Sequence, residues 1–153
     1  MSTPRLLADA MLGKLARWLR ILGYDTVYAQ GDDALIAQRA RSEGRIVLTR
    51  DHEMARRRGL PTLLIASQDL TAQIAQVVAE LGHPTDASPR CMTCNVPLTP
   101  ISVEEARPLI PHYVAETQTA FHRCEKCGKI YWQGTHWQGI EHQLQSLQSA
   151  SKG

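Results

Sequence analysis

Arg45-Ile46-Val47-Leu48-Thr49-Arg50-Asp51 decides how the chain is read. Ile46, Val47 and Leu48 form an apolar, mostly β-branched run without polar alternation, the pattern of a short strand buried on both faces of a parallel sheet. Gly44 in front closes a preceding helix, and the run ends in Thr49, Arg50 and Asp51. An acid at the carboxyl end of a central parallel strand stands on the edge where open α/β sheets bind ligands. Other acids arriving at that edge would make it a site.

Working back from this strand, Leu6-Leu7-Ala8 is a first strand ending in Asp9. Leu12, Leu15, Ala16, Leu19 and Leu22 recur at spacings of three and four, one face of an amphipathic helix that Gly23 stops. Lys14, Arg17 and Arg20 fall off that stripe. Thr26-Val27-Tyr28 is a second strand, Gly31-Asp32-Asp33 a turn, and a helix from Asp33 carries Leu35, Ile36 and Ala40 inward. Forward of the central strand come a short basic helix and Pro61, then a fourth strand at residues 62–66. A helix marked by Leu70, Ile74, Val77, Val78 and Leu81 follows and ends at Gly82. Strand and helix alternate four times with short loops, the signature of a parallel α/β sheet with right-handed crossovers.

In such a sheet the carboxyl ends share one edge, so Asp9, Asp33, Asp51 and Ser67 or Asp69 come to the same side. Gathered carboxylates repel one another, and a hard divalent cation such as Mg²⁺ or Mn²⁺ relieves the repulsion. Every one of these acids also stands where a helix begins, and Asp is among the best N-cap residues, so capping explains the same pattern. Asp32 and Asp69 read as a turn residue and a cap. Dinucleotide and P-loop chemistries fail, because neither a GxGxxG nor a Walker lysine motif is present. Met11 occupies the position where an aspartyl-phosphate phosphatase needs a second aspartate. Ala66-Ser67-Gln68 lacks the lysine of a receiver-like phospho-acceptor.

The totals fit this picture. At 153 residues, 43% hydrophobic and 21% charged, the chain suits one domain or a modest domain with a small appendage, and can bury a core. The formal charge of +2 does not force a nucleic-acid partner. Its distribution is uneven, with Arg50, His52, Arg56, Arg57 and Arg58 crowded after the central strand, a cluster that suits a phosphate-bearing partner or is merely a solvated face. No apolar run approaches a membrane span and the N-terminus lacks a signal-peptide core, so the expected location is cytoplasmic.

In a reducing compartment, paired CxxC motifs point to metal more than to disulfides. Cys91-Met92-Thr93-Cys94 and Cys124-Glu125-Lys126-Cys127 supply four thiolates able to close a tetrahedral structural zinc site. Neither pair has the strand–helix context of a redox motif, and His122 and His136 are not needed as ligands. Residues 1–86 thus form the α/β domain, residues 84–90 a linker, and residues 87–153 a zinc ribbon with a C-terminal helix. The insert between the pairs holds a short helix at 102–107, and Thr135 caps a last helix bearing Ile140, Leu144 and Leu147. Tyr131, Trp132, Trp137, His136 and Lys129 offer stacking surfaces and charge to a single-stranded nucleic acid, or pack the ribbon against the α/β domain.

Leu7-Ala8-Asp9, Gly13-Lys14-Leu15-Ala16-Arg17-Trp18-Leu19-Arg20, Leu22-Gly23-Tyr24-Asp25 and Leu48-Thr49-Arg50-Asp51 resemble the Mut7-C RNase domain family. So do Cys124-Glu125-Lys126-Cys127-Gly128-Lys129-Ile130-Tyr131-Trp132 and Gly134-Thr135-His136-Trp137. The resemblance spans nearly the whole chain. It implies a PIN-like nuclease fold joined to a C-terminal zinc ribbon, and metal-dependent cleavage of RNA. Carried over by position, Asp9, Asp33 and Asp51 match the acids that would hold catalytic Mg²⁺ or Mn²⁺, with Ser67 or Asp69 the only candidates for a fourth. Lys14 and Arg17 match the basic helix and, with Arg50 and His52, would grip RNA phosphates. The expected function is a metal-dependent ribonuclease acting on single-stranded RNA; the alternative is a non-catalytic RNA- or ribosome-binding module with a structural zinc ribbon. A regulatory or antitoxin-like protein partner is compatible with the same chemistry.

Overall fold

A computed structural model describes residues 3–84 and 88–132. The expected C-terminal helix, with His136 and Trp137, lies outside the described residues, as does the middle of the expected linker.

Four short strands, β1 (Arg5–Ala8), β2 (Thr26–Tyr28), β3 (Arg45–Thr49) and β4 (Thr62–Leu64), form a parallel sheet in the order β2-β1-β3-β4. Helices α1 (Gly13–Leu22), α2 (Asp33–Glu43), α3 (His52–Ala55) and α4 (Leu70–Leu81) connect and cover it. A tight 3₁₀ turn over Ala10–Leu12 precedes α1. Period-two alternation along the strands divides the core in two. Leu6, Ala8 and Leu48 meet Leu15, Ala16 and Leu19 of α1 and Ile74, Val77 and Val78 of α4. Leu7 and Val47 meet Ile36, Ala37 and Ala40 of α2 and Met54 of α3 on the other face. Burial on both faces is why β3 carries no polar alternation. In α2 the inward row is Ile36, Ala37 and Ala40, whereas Leu35 points to solvent at 59% exposure. A single helical face takes positions three and four apart, and Leu35 is one step off that row.

The chain leaves β1 for β2 on one side and returns to β3 on the other, so the strand order reverses between β1 and β3. That reversal opens a crevice at the carboxyl ends of the two central strands, where open α/β sheets bind ligands.

A second, antiparallel sheet joins β5 (Thr99–Ile101), β6 (Phe121–Arg123) and β7 (Ile130–Tyr131) in sequence order. Between β5 and β6 lie α5 (Val103–Ala106), capped by Ser102, a 3₁₀ turn, and α6 (His112–Thr117). The expected short helix is therefore present, and a further one follows it. This insert builds a small core of its own from Ala106, Val114 and Phe121, against which Trp132 packs. Trp132 thus serves packing within the ribbon. A third cluster, Ile21 of α1 with Cys91, Leu98 and Cys124, seats the ribbon on the α/β sheet unit.

Candidate functional site

Asp9 and Asp51 stand just past the carboxyl ends of β1 and β3, which are neighbours in the sheet. Asp9 is nearly buried; one carboxylate oxygen accepts the Met11 N–H at 3.1 Å, starting the 3₁₀ turn, and the other accepts the Thr49 hydroxyl at 2.6 Å. The same hydroxyl accepts the Asp51 N–H at 3.0 Å. Thr49 therefore ties the two strand ends together from a fully buried position. Asp51 is exposed and caps α3 through the Glu53 N–H at 2.9 Å. Capping and edge placement hold simultaneously for Asp9 and Asp51.

Asp33 is the first residue of α2, one strand further out, while Asp32 takes the cap by accepting the Leu35 N–H. Asp69 caps α4 through Ala72, and the Ser67 hydroxyl accepts the Asp69 N–H. Among the described residues, the one group of three or more acid, His or Cys side chains close enough to share an ion is the four cysteines. Asp9, Asp33 and Asp51 reach the same edge without forming such a group. Their oxygen donors suit a hard cation such as Mg²⁺ or Mn²⁺.

Arg50 follows Thr49 at this edge, and its Nε is buried without a hydrogen-bond partner among the described residues. A buried N–H donor costs free energy unless an acceptor reaches it. His52 begins α3, exposed beside Asp51. The remaining basic cluster separates from the site. Arg56, Arg57 and Arg58 lie beyond α3, and Arg41 at the end of α2 donates to the Arg58 and Gly59 carbonyls, where the chain approaches the start of β4. They belong to the opposite edge of the sheet because α3 is short enough for the chain to return within a few residues.

Lys14 and Arg17 project from α1 as exposed cations along a cavity of about 500 Å³. Arg20, on the same row, is committed elsewhere: it donates to the Thr26, Met92 and Thr93 carbonyls.

The four cysteine sulfurs lie within 4.8 Å of one another. Zinc held by four thiolates at about 2.3 Å places its sulfurs about 3.8 Å apart, and Cys91 and Cys127 are separated by 3.8 Å. Both CxxC segments make the same knuckle. The second cysteine's N–H donates to the first cysteine's sulfur at 3.4 Å in each. The next residue turns left-handed, Asn95 at φ 64° and Gly128 at φ 81°. Burial alone would push the Cys91 thiol up, but donors from Tyr131 and from the Cys94 and Thr93 backbone hold it at about 6. Cys94 is pushed up to about 12 by desolvation and by sharing protons with the other sulfurs. A divalent cation removes that conflict by stabilising all four thiolates, so the donor set fits structural zinc. Lys129 sits over the Tyr131 ring at 5.2 Å, so that ring is engaged on one face and its hydroxyl on Cys91.

Sequence reasoning missed Thr49 as the link between the acids, and missed Arg20, Asn95 and Tyr131 as residues that hold the ribbon. A polar residue ending an apolar strand is the only local signal for Thr49.

A parallel α/β sheet with acids at its switch point, followed by a four-cysteine ribbon, defines the class. The chain matches the Mut7-C RNAse domain over residues 4–144, and it belongs to that family. Comparisons with curated proteins and with solved structures give no significant match. Among the described residues no helix is long and apolar enough to cross a membrane.

Proposed function

We propose that the protein is a divalent-metal-dependent ribonuclease that hydrolyses phosphodiester bonds of single-stranded RNA. Family membership points to RNA as the substrate. The observation that carries the chemistry is the Asp9–Thr49–Asp51 linkage at the strand-order reversal. Asp9, Asp33 and Asp51, which share this edge but lie too far apart here to form one ion-sized group, would draw together around Mg²⁺ or Mn²⁺, which would supply an activated water and stabilise the leaving oxygen. Arg50 offers the scissile phosphate a buried donor with no competing partner among the described residues. Lys14, Arg17 and His52 bind flanking phosphates. Residues 1–86 carry the reaction, and the zinc ribbon of residues 87–153 braces them and extends the RNA surface.

Asp→Asn substitution separates the two roles of these acids, because Asn caps helices as well as Asp does but is a far weaker cation ligand. Asp9→Asn and Asp51→Asn should each lower cleavage of labelled single-stranded RNA by about a hundredfold or more, with the far-ultraviolet circular dichroism unchanged. Zinc-loaded protein is assayed with Mg²⁺ or Mn²⁺ added or withheld. RNA binding without cleavage in any metal would instead favour a non-catalytic binding module, in which Asp9 and Asp51 are caps alone.

A further inference from the structure

The groove beside α1 has two walls from distant parts of the chain. One is the α1 row Lys14, Arg17 and Arg20, which rises about 4.5 Å at each step of three residues. The other is Met92 and Thr93, the two residues inside the first cysteine knuckle, and Tyr28 lines the end nearest Asp9. Gly13 lies against the Tyr28 ring, and the Tyr28 hydroxyl donates to the Ala10 carbonyl at 2.7 Å, so this end opens at the turn that Asp9 caps. At the far end, Arg20 donates to the Met92 carbonyl at 2.5 Å and the Thr93 carbonyl at 3.4 Å, fixing the knuckle against the helix. Trp18 and Leu70 line an adjoining cavity of about 380 Å³ that shares Lys14, Arg17 and Met92.

We propose that this groove is a composite binding channel for the nucleotides flanking the cleaved bond, with the zinc knuckle as its second wall. The proposal rests on the ribonuclease reading and adds to it the route of the strand and the ribbon's part in holding it. Cations on one wall suit phosphates, while the Tyr28 ring and the Met92 thioether give bases apolar surfaces to lie on. Its volume of about 500 Å³ matches a nucleotide unit, and apolar surfaces set beside the cations suit unpaired bases, which a duplex keeps stacked inside. The occupant is therefore a single RNA strand, led from the acid edge along α1 toward the ribbon.

Thr93 is exposed on the knuckle and belongs to neither the acids nor the zinc ligands. Thr93→Glu places a carboxylate in the channel, and Thr93→Lys places a cation there. Thr99→Glu makes the same charge change at an exposed position of β5 outside the groove. Binding of a short fluorescent single-stranded RNA is measured by anisotropy on zinc-loaded protein without Mg²⁺ or Mn²⁺, with the same DNA strand and an RNA duplex as further arms. Thr93→Glu should weaken single-stranded RNA binding about fivefold or more, Thr93→Lys should tighten it, and Thr99→Glu should change it less than about twofold. Equal effects of the two glutamates, no effect of either, or tighter binding of the duplex than of the single strand would overturn the channel. A tie between RNA and DNA strands would overturn its assignment to RNA. Cleavage is scored separately: binding that responds to Thr93 in a protein that never cleaves removes the nuclease reading and leaves the channel. Cleavage with no response to Thr93 does the reverse.

Discussion

Thr49 is fully buried at the end of β3, and its one hydroxyl serves both candidate acids. Donating to Asp9 at 2.6 Å fixes that carboxylate's rotamer, and accepting from the Asp51 N–H fixes the backbone from which Asp51 projects. Valine has nearly the same shape and no hydroxyl, so Thr49→Val leaves a buried carboxylate oxygen and an amide without their partner. Leaving buried polar groups unpaired costs about 1–3 kcal/mol. Urea unfolding should show Thr49→Val destabilised by about that amount, with Thr49→Ser recovering most of it. RNA cleavage should fall in the same order. A valine variant as stable and as active as the parent would show that the bridge does not organise this edge.

At the scale of elements, the strands and long helices were legible because their apolar periods are local. The Leu15, Ala16 and Leu19 stripe of α1 and the unbroken apolar run of β3 both announce the surfaces they bury. Ile21 does not, since it lies off the stripe and is covered by Cys91, Leu98 and Cys124 from far along the chain. The same holds for Arg20, which sequence alone cannot distinguish from the exposed Lys14 and Arg17. The ribbon's β5 is a three-residue Thr-Pro-Ile segment with little burial, too short for any period, so only its cysteines spoke. Those cysteines left Tyr131 unmarked, although its hydroxyl lies 3.2 Å from Cys91 Sγ and accepts the Met92 N–H at 3.0 Å. Hydrogen bonds from outside the ligand set stabilise thiolates and orient them. Competition against a chromophoric chelator should find zinc held about tenfold more weakly in Tyr131→Phe, with proton competition setting in at higher pH. Unchanged affinity would mean that the two knuckles alone define the site.

The whole molecule is joined through Asp25, just before β2 at the opposite edge of the sheet from Asp9 and Asp51. Its carboxylate accepts from Arg45 at 2.9 Å and from Asn95 of the first knuckle at 2.7 Å. The Asn95 side-chain oxygen Oδ1 in turn accepts the Thr26 N–H at 3.1 Å, so a left-handed ribbon residue completes the start of β2. Desolvation by burial raises the Asp25 carboxyl, but the hydrogen bonds from Arg45 and Asn95 outweigh it and hold the group below the ordinary 3.8. A depressed folded-state value gives stability that is fully present above the unfolded value and is lost as pH falls through the folded one. Near neutral pH, Asp25→Asn should be less stable than the parent by about 1–3 kcal/mol, the range for charged hydrogen bonds at a partly exposed site. That gap should stay level down to the unfolded aspartate value of 3.8 and close below it. A gap that persists undiminished well below that pH would assign the stabilisation to packing at the junction rather than to the charge of Asp25.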